Sequence, residues 1–104
     1  MEIVIDTSAA CKNKNGEFDF NLKNQLKKSA VSIVSNIAEG FERETNNEYL
    51  RFLYYSKGSA GELRCHFRVA SRLGFIALEE SKIIELKIEK LSRMISNLIK
   101  VIKL

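Results

Sequence analysis

Lys57, Arg64, Arg68 and Arg72 recur at spacings of seven, four and four, which sets four cations along one side of any helix that carries them. Lys90, Arg93 and Lys100 make a second row further on. Rows of this kind neutralise phosphates along a nucleic-acid backbone, and Tyr54 and Tyr55 stand close enough in sequence to stack or hydrogen-bond there. An ordinary solvated face has the same pattern. The two readings differ in what they predict: a binding row gives sequence-tolerant affinity for RNA or DNA that falls with salt, and a solvated row gives none. The formal net charge of +4 is unevenly placed, with six Lys/Arg against seven Asp/Glu in residues 1–44 and eleven against six in residues 45–104. An anionic partner would meet the second half, although a charge of this size also serves simply to keep a small domain soluble.

No other constellation points to chemistry. Di-metal sites in helical bundles need paired Glu-x-x-His motifs. Here the single histidine, His66, has Glu62 four residues before it, and Cys65 projects about 100° away around a helix. His66 is expected at the surface or its boundary. No Gly-x-Gly-x-x-Gly or Gly-Lys-Ser/Thr pattern offers a phosphate-cradling loop. Cys11 and Cys65 lack metal-type spacing and read as reduced thiols, packed as small apolar residues in or near the core. Ser29, Ser32, Ser35, Asn36 and Glu39 cluster on a stretch otherwise made of Ala, Val and Ile. Small polar residues suit a tight helix crossing, with Asn36 and Glu39 making interhelical or capping bonds. A ligand or catalytic role is the other reading. Neither a catalytic residue nor a cofactor or metal ligand is expected.

The elements that would position these residues follow from periodicity and punctuation. Proline is absent, so long helices meet no obstacle, and Gly16, Gly40 and Gly74 divide the chain. Residues 2–13 put Ile3, Thr7, Ala10 and Cys11 on one helical face before the loop-like Lys14-Asn15-Gly16, while Ile3-Val4-Ile5 would also suit a strand. Residues 20–41 place Leu22, Leu26, Ser29, Ile33, Ile37 and Gly40 at spacings of three and four, with Ala30, Val34 and Phe41 widening the stripe. Thr45-Asn46-Asn47-Glu48 reads as a capping box opening a third helix over 46–73. Its stripe is Tyr49, Phe52, Leu53, Ser56, Ala60, Leu63, Phe67, Ala70 and Leu73. Gly58 and Gly61 inside it each cost about 1 kcal/mol relative to alanine, which predicts a close approach of another backbone there, at a helix crossing.

Residues 78–102 carry a heptad seam: Ile84, Ile88, Leu91, Ile95, Leu98 and Ile102 alternate spacings of four and three. A parallel dimer would use such a seam, but three preceding helices with short connections favour an intrachain antiparallel bundle. Met94, Ile99 and Val101 flank the seam, and Ile83 and Leu86 lie nearly opposite it. One face cannot bury them all. Scattered surface hydrophobes are normal; a second interface between subunits is the sharper reading.

At 104 residues the chain fits one domain spanning 1–104, and 45% hydrophobic with 29% charged residues excludes a disordered chain. No apolar run approaches the roughly 20 residues that span a bilayer. Met1-Glu2-Ile3-Val4-Ile5-Asp6 lacks the basic flank and long apolar region of a secretory signal, so a cytoplasmic location without membrane association is expected.

The run from Gln25 to Phe41, which contains Lys27-Lys28-Ser29-Ala30 and Ser35-Asn36-Ile37-Ala38-Glu39-Gly40, resembles the signature of the bacterial four-helix bundle proteins. These include proteins encoded in intervening sequences of large-subunit ribosomal RNA genes and also bear a ribosomal-protein-like label. Glu48-Tyr49-Leu50-Arg51-Phe52-Leu53, Gly58-Ser59-Ala60-Gly61-Glu62-Leu63, Leu73-Gly74-Phe75 and Ser92-Arg93-Met94 continue the match over residues 18 to 102. The chain departs from the family at Val34, where a proline is usual, which implies a straighter second helix, and in a first helix shorter than the family's, which implies either thinner cover on one side or a true start that lies upstream. By similarity to family members and to the related accessory protein of diversity-generating retroelements, the resemblance implies a ring-like homopentamer. That relative is basic and assists a reverse transcriptase, so a reverse-transcriptase-like or ribonucleoprotein partner is implied as well.

These readings combine into an all-α, antiparallel up-down four-helix bundle with a short first helix. The expected protein is non-enzymatic and homo-oligomeric, and binds RNA or DNA through Lys57, Arg64, Arg68, Arg72, Lys90, Arg93 and Lys100. Ser32, Asn36, Glu39, Gly40, Gly58 and Gly61 form the structural motif. The alternative is a protein-interaction scaffold that does not touch nucleic acid.

Overall fold

The computed structural model describes residues 1–12 and 18–104, and its described residues form four α-helices and no strand. In order these are α1 (Glu2–Cys11), α2 (Phe20–Phe41), α3 (Asn46–Arg72) and α4 (Leu78–Lys103). The first segment is helical because its apolar residues serve one helical face: Ile3, Thr7, Ala10 and Cys11 are buried, whereas Ile5, which a strand would point the same way as Ile3, is exposed. The helix stops at Cys11. Asn13 and the Lys14-Asn15-Gly16 turn lie outside the described residues.

Local capping chemistry sets the other boundaries. The Asp19 carboxylate accepts from the Leu22 amide at 3.0 Å and starts α2. Thr45 Oγ1 accepts from the Glu48 amide at 3.2 Å and starts α3, which supplies one half of the anticipated capping box. Gly74 ends α3 with φ +82°: its own N–H bonds to the Ser71 carbonyl and that of Phe75 reaches the Ala70 carbonyl, the paired closure that needs a left-handed residue. Acidic Glu79 and Glu80 open α4, and Lys100 and Lys103 close it, matching its macrodipole.

α3 is the central helix. It packs along α2 on one side and α4 on the other, and α1 bridges α2 and α4, which do not pack on each other. Leu26, Ile33, Leu53, Leu63, Phe67 and Ile88 form the dry centre of this bundle, and Phe18 stacks on Phe75 at 5.1 Å to close one end. α2 and α3 approach closely near the turn that joins them. A Cβ on Gly40 would fall 2.8 Å from Tyr49 Cδ1 and 3.3 Å from Phe52 Cβ, so only glycine lets these helices meet there.

Several sequence expectations need correction. Among the described residues, nothing lies within 4 Å of where a Cβ on Gly58 or Gly61 would stand, so no other backbone of the described chain approaches them. The crossing runs instead through their neighbours. Ala60 is buried, Ser56 Oγ donates to the Ile33 carbonyl at 2.7 Å, and the Ser32 and Ser59 hydroxyls share a 2.8 Å hydrogen bond. Asn36 does not reach across: its amide donates to Ser32 O at 2.8 Å and to Ser32 Oγ at 3.0 Å, orienting the hydroxyl that does cross. Glu39 does not reach α3 either: it accepts from Arg43, just past the end of α2, at 2.7 Å. Phe41, Leu73 and Cys65 are exposed, not core residues, whereas Ile99 is buried where the heptad seam left it on the flank. Ile83, Leu86, Met94 and Val101 stay exposed, as the surplus of apolar residues on α4 required.

Candidate nucleic-acid interface

α3 and α4 run antiparallel with Arg64 level with Glu89 and Arg68 level with Glu85. The ion pairs measure 3.2 Å and 2.9 Å. They stitch the outer edge of the α3–α4 contact, where the cation row of α3 lies. Each guanidinium carries five N–H donors in a planar fork, and one contact to a carboxylate leaves several free. The Arg68 side chain is 66% exposed while its partner Glu85 is only 14% exposed, so the cation is held at the surface by a carboxylate largely beneath it. Lys57 and Arg72 continue the row in both directions. Both are exposed and neither has an ion pair among the described residues.

On α4, Arg93 and Lys100 follow Glu89 at spacings of four and eleven, which keeps them on the ridge that faces α3. They too are exposed and unpaired among the described residues. Lys90 departs from this group. It lines a trough on the other side of α4 with Met94 and residues of α1 and α2, so the helix directs it away from the seam. Six of the seven anticipated cations therefore share one surface, and the seventh does not.

Periodicity extends the surface by two cations not singled out in the sequence. Lys82, seven residues before Glu89, lines a depression of about 360 Å³ with Arg68, Arg72 and Glu85. Lys103 lies over the Tyr54 ring at 5.5 Å, so the far end of the seam pairs a cation with a half-exposed aromatic. Following the Glu89–Arg93–Lys100 ridge toward both ends of α4 would have found them. Tyr55 sits on the opposite flank, where its hydroxyl accepts from Arg51 Nε at 2.8 Å and its ring meets Phe52 edge-on.

His66 is half-buried, and among the described residues no group of three or more His, Cys, Asp or Glu side chains is arranged to hold a metal ion. The Ser29–Glu62 contact at 3.5 Å and the Ser32–Ser59 bond bridge α2 and α3. No described helix is long and apolar enough to cross a membrane.

A four-helix bundle with a cationic seam along its last two helices is the class that fold and surface define. The chain belongs to the 23S rRNA-intervening sequence protein family, whose model matches residues 1–97. Its fold is also that of a protein of unknown function from the S23 ribosomal protein family of Bacteroides thetaiotaomicron. The crystal structure of that protein aligns with a TM-score of 0.78 at 17% identity, over 94% of this chain and 98% of the other. A comparison with curated proteins finds no match.

Proposed function

We propose that this protein is a cytoplasmic, non-enzymatic, homo-oligomeric bundle that binds RNA or DNA through the α3–α4 seam, with Lys57, Arg64, Arg68, Arg72, Arg93 and Lys100 as the phosphate contacts. The observation that carries the reading is the group of Lys57, Arg72, Arg93 and Lys100, which lie on one exposed surface without a carboxylate partner among the described residues. Membership of a family named for intervening sequences in 23S rRNA supports the same reading. Such a surface contacts backbone and not base edges, so binding tolerates sequence and weakens with salt.

Exposed Ile83, Leu86 and Val101 favour self-association, and the resemblance to the ring-forming relatives makes five copies the expected number. A ring would repeat the seam around its circumference and raise affinity through multivalent contact. The same exposed residues favour the second reading, a protein-interaction scaffold.

Charge reversal separates the two. Arg64 and Arg68 are poor targets, because glutamate there would face Glu89 and Glu85 and weaken the fold. Arg72→Glu with Arg93→Glu leaves every ion pair in place. Loss of RNA binding of at least about tenfold, with helicity and oligomeric state unchanged, supports the nucleic-acid reading. Unchanged binding, or no binding by the wild type, leaves the scaffold.

A further inference from the structure

The cations of the α3–α4 seam are not evenly spread. The Arg64–Glu89 and Arg68–Glu85 ion pairs fix the register of the two helices, so the rise per residue places every other cation along their common direction. From Lys100 through Lys57, Arg93 and Arg64 to Arg68 the cations come singly, at steps of about 4–6 Å. The row then closes up. Lys82 is three residues from Glu85 and Arg72 is four from Arg68, so Arg68, Lys82 and Arg72 share about 6 Å of the axis. All three line the depression of about 360 Å³, together with Ser71 and Leu78, where α3 ends and the chain turns through Gly74 toward α4. The two carboxylates at this depression are already engaged. Glu85 accepts from Arg68 Nε at 2.9 Å and from Ser81 Oγ at 3.0 Å, and Glu89 accepts from Arg64 at 3.2 Å. Arg68 makes its hydrogen bond through Nε, which leaves the N–H groups of both terminal nitrogens to offer. Arg72 and Lys82 have no ion pair among the described residues.

We propose that this depression holds the terminal phosphate monoester of the nucleic-acid strand whose backbone lies along the seam. The inference rests on the seam reading and adds to it the place where the strand ends. A phosphodiester in mid-strand carries one negative charge, which a single cation per step matches. A phosphate monoester carries about −1.5 to −2 at pH 7 and three strong acceptor oxygens. Three clustered cations suit that charge, and the two terminal nitrogens of Arg68, the Arg72 fork, the Lys82 ammonium and the Ser71 hydroxyl supply donors to its oxygens. The row also stops here. Past Arg72 and before Lys82 the chain presents Leu73, Leu78 and Glu79, all exposed, which give a phosphate backbone nothing cationic to follow. Leu78, in the wall of the depression, offers the terminal sugar an apolar rest.

The test measures fluorescence anisotropy of single-stranded RNA of about twelve nucleotides titrated with the full chain. The strands come in pairs that differ only in one terminal phosphate: 5′-phosphate against 5′-hydroxyl with the dye at the 3′ end, and 3′-phosphate against 3′-hydroxyl with the dye at the 5′ end. One end and not the other should gain about tenfold in affinity from its phosphate. Lys82→Ala should erase that ratio, whereas Lys100→Ala, at the far end of the seam, should weaken both members of a pair alike, with the circular-dichroism spectrum of both variants unchanged. The inference is overturned if the phosphate makes no difference at either end, if it helps both ends equally, or if the ratio survives Lys82→Ala. In each of those cases salt-dependent binding of all four strands leaves the seam reading standing, whereas failure of every strand to bind overturns both. A nucleoside monophosphate that displaces the phosphorylated strand at equal concentration would assign the depression to a free nucleotide and also overturns the strand-end assignment.

Discussion

The glycines separate two roles that the sequence alone merges. Gly40 is needed sterically, because an added Cβ would meet the Tyr49 ring at 2.8 Å, and that ring is fixed against Phe41 at 5.2 Å. Gly40→Ala should therefore cost about 1–3 kcal/mol through overpacking despite the better helix propensity of alanine. Gly58→Ala and Gly61→Ala meet open space and should each stabilise the monomeric fold by up to about 1 kcal/mol. Thermal unfolding of the three variants reads the difference, since 1 kcal/mol moves the midpoint of a domain this size by roughly 4–8 °C. Spacing cannot tell these glycines apart, because it gives a helical position but not what stands beyond the helix. Ser32, Ser56 and Asn36 illustrate the same point. Their clustering announced a close crossing, yet which hydroxyl crosses depends on rotamers that only the packed structure fixes.

Tyr49 offers a second prediction at this scale. Its hydroxyl is shielded from solvent with no hydrogen-bond partner among the described residues, and burial pushes its pKa upward. A raised folded-state value means that stability is present below the ordinary tyrosine pKa and is lost as pH rises through the folded one. Tyr49→Phe removes an unsatisfied polar atom, so it should be neutral or stabilising at pH 7 and should reduce the loss of stability above about pH 10. Denaturant melts at neutral and alkaline pH check both halves.

Among the elements, α1 is the weakest. Ten residues make a marginal helix in water, and α1 depends on the burial of Ile3, Thr7, Ala10 and Cys11 together with the Lys87 contacts. Its amides should exchange with deuterium fastest of the four helices, which native-state exchange measures directly. Hydrogen bonds to Asp6 and then Glu2, with their negative charges, hold the Lys87 ammonium above the ordinary lysine value of 10.5. The linkage follows from that direction: the contribution is complete below 10.5 and disappears as pH rises through the higher folded value. Lys87 and Glu2 are substantially solvated, so the effect is small. Lys87→Met should therefore soften the alkaline loss of α1 with little change at neutral pH, and exchange or thermal melts at both pH values will show it. α4 was the most legible element, because a heptad pattern states both its length and its buried face. The row of cations on α3 was equally plain. What the sequence missed was Lys90 turning away from Arg93 and Lys100 toward the side of α4 that meets α1, a consequence of its angular position on the helix.

For the whole molecule, the bundle was readable because periodicity, caps and connection lengths all agreed, whereas the choice of which helices pack was not. That α3 takes both α2 and α4 as neighbours while α2 and α4 do not pack on each other is a relation between elements that no local pattern encodes. The exposed apolar residues of α4 also belong to this scale. Light scattering at micromolar concentration should give a mass several times that of the chain, and Leu86→Glu with Val101→Glu should reduce it while preserving helicity.

The central claim is that the α3–α4 seam holds a phosphate backbone, and counterion release tests it most directly. Affinity for a labelled single-stranded RNA should be measured between about 50 and 200 mM salt. With roughly six phosphates engaged, the logarithm of the association constant should fall linearly with the logarithm of salt concentration, with a slope of about −4, and Arg72→Glu with Arg93→Glu should flatten it. Absence of binding at the lowest salt, or affinity indifferent to salt, would contradict the account.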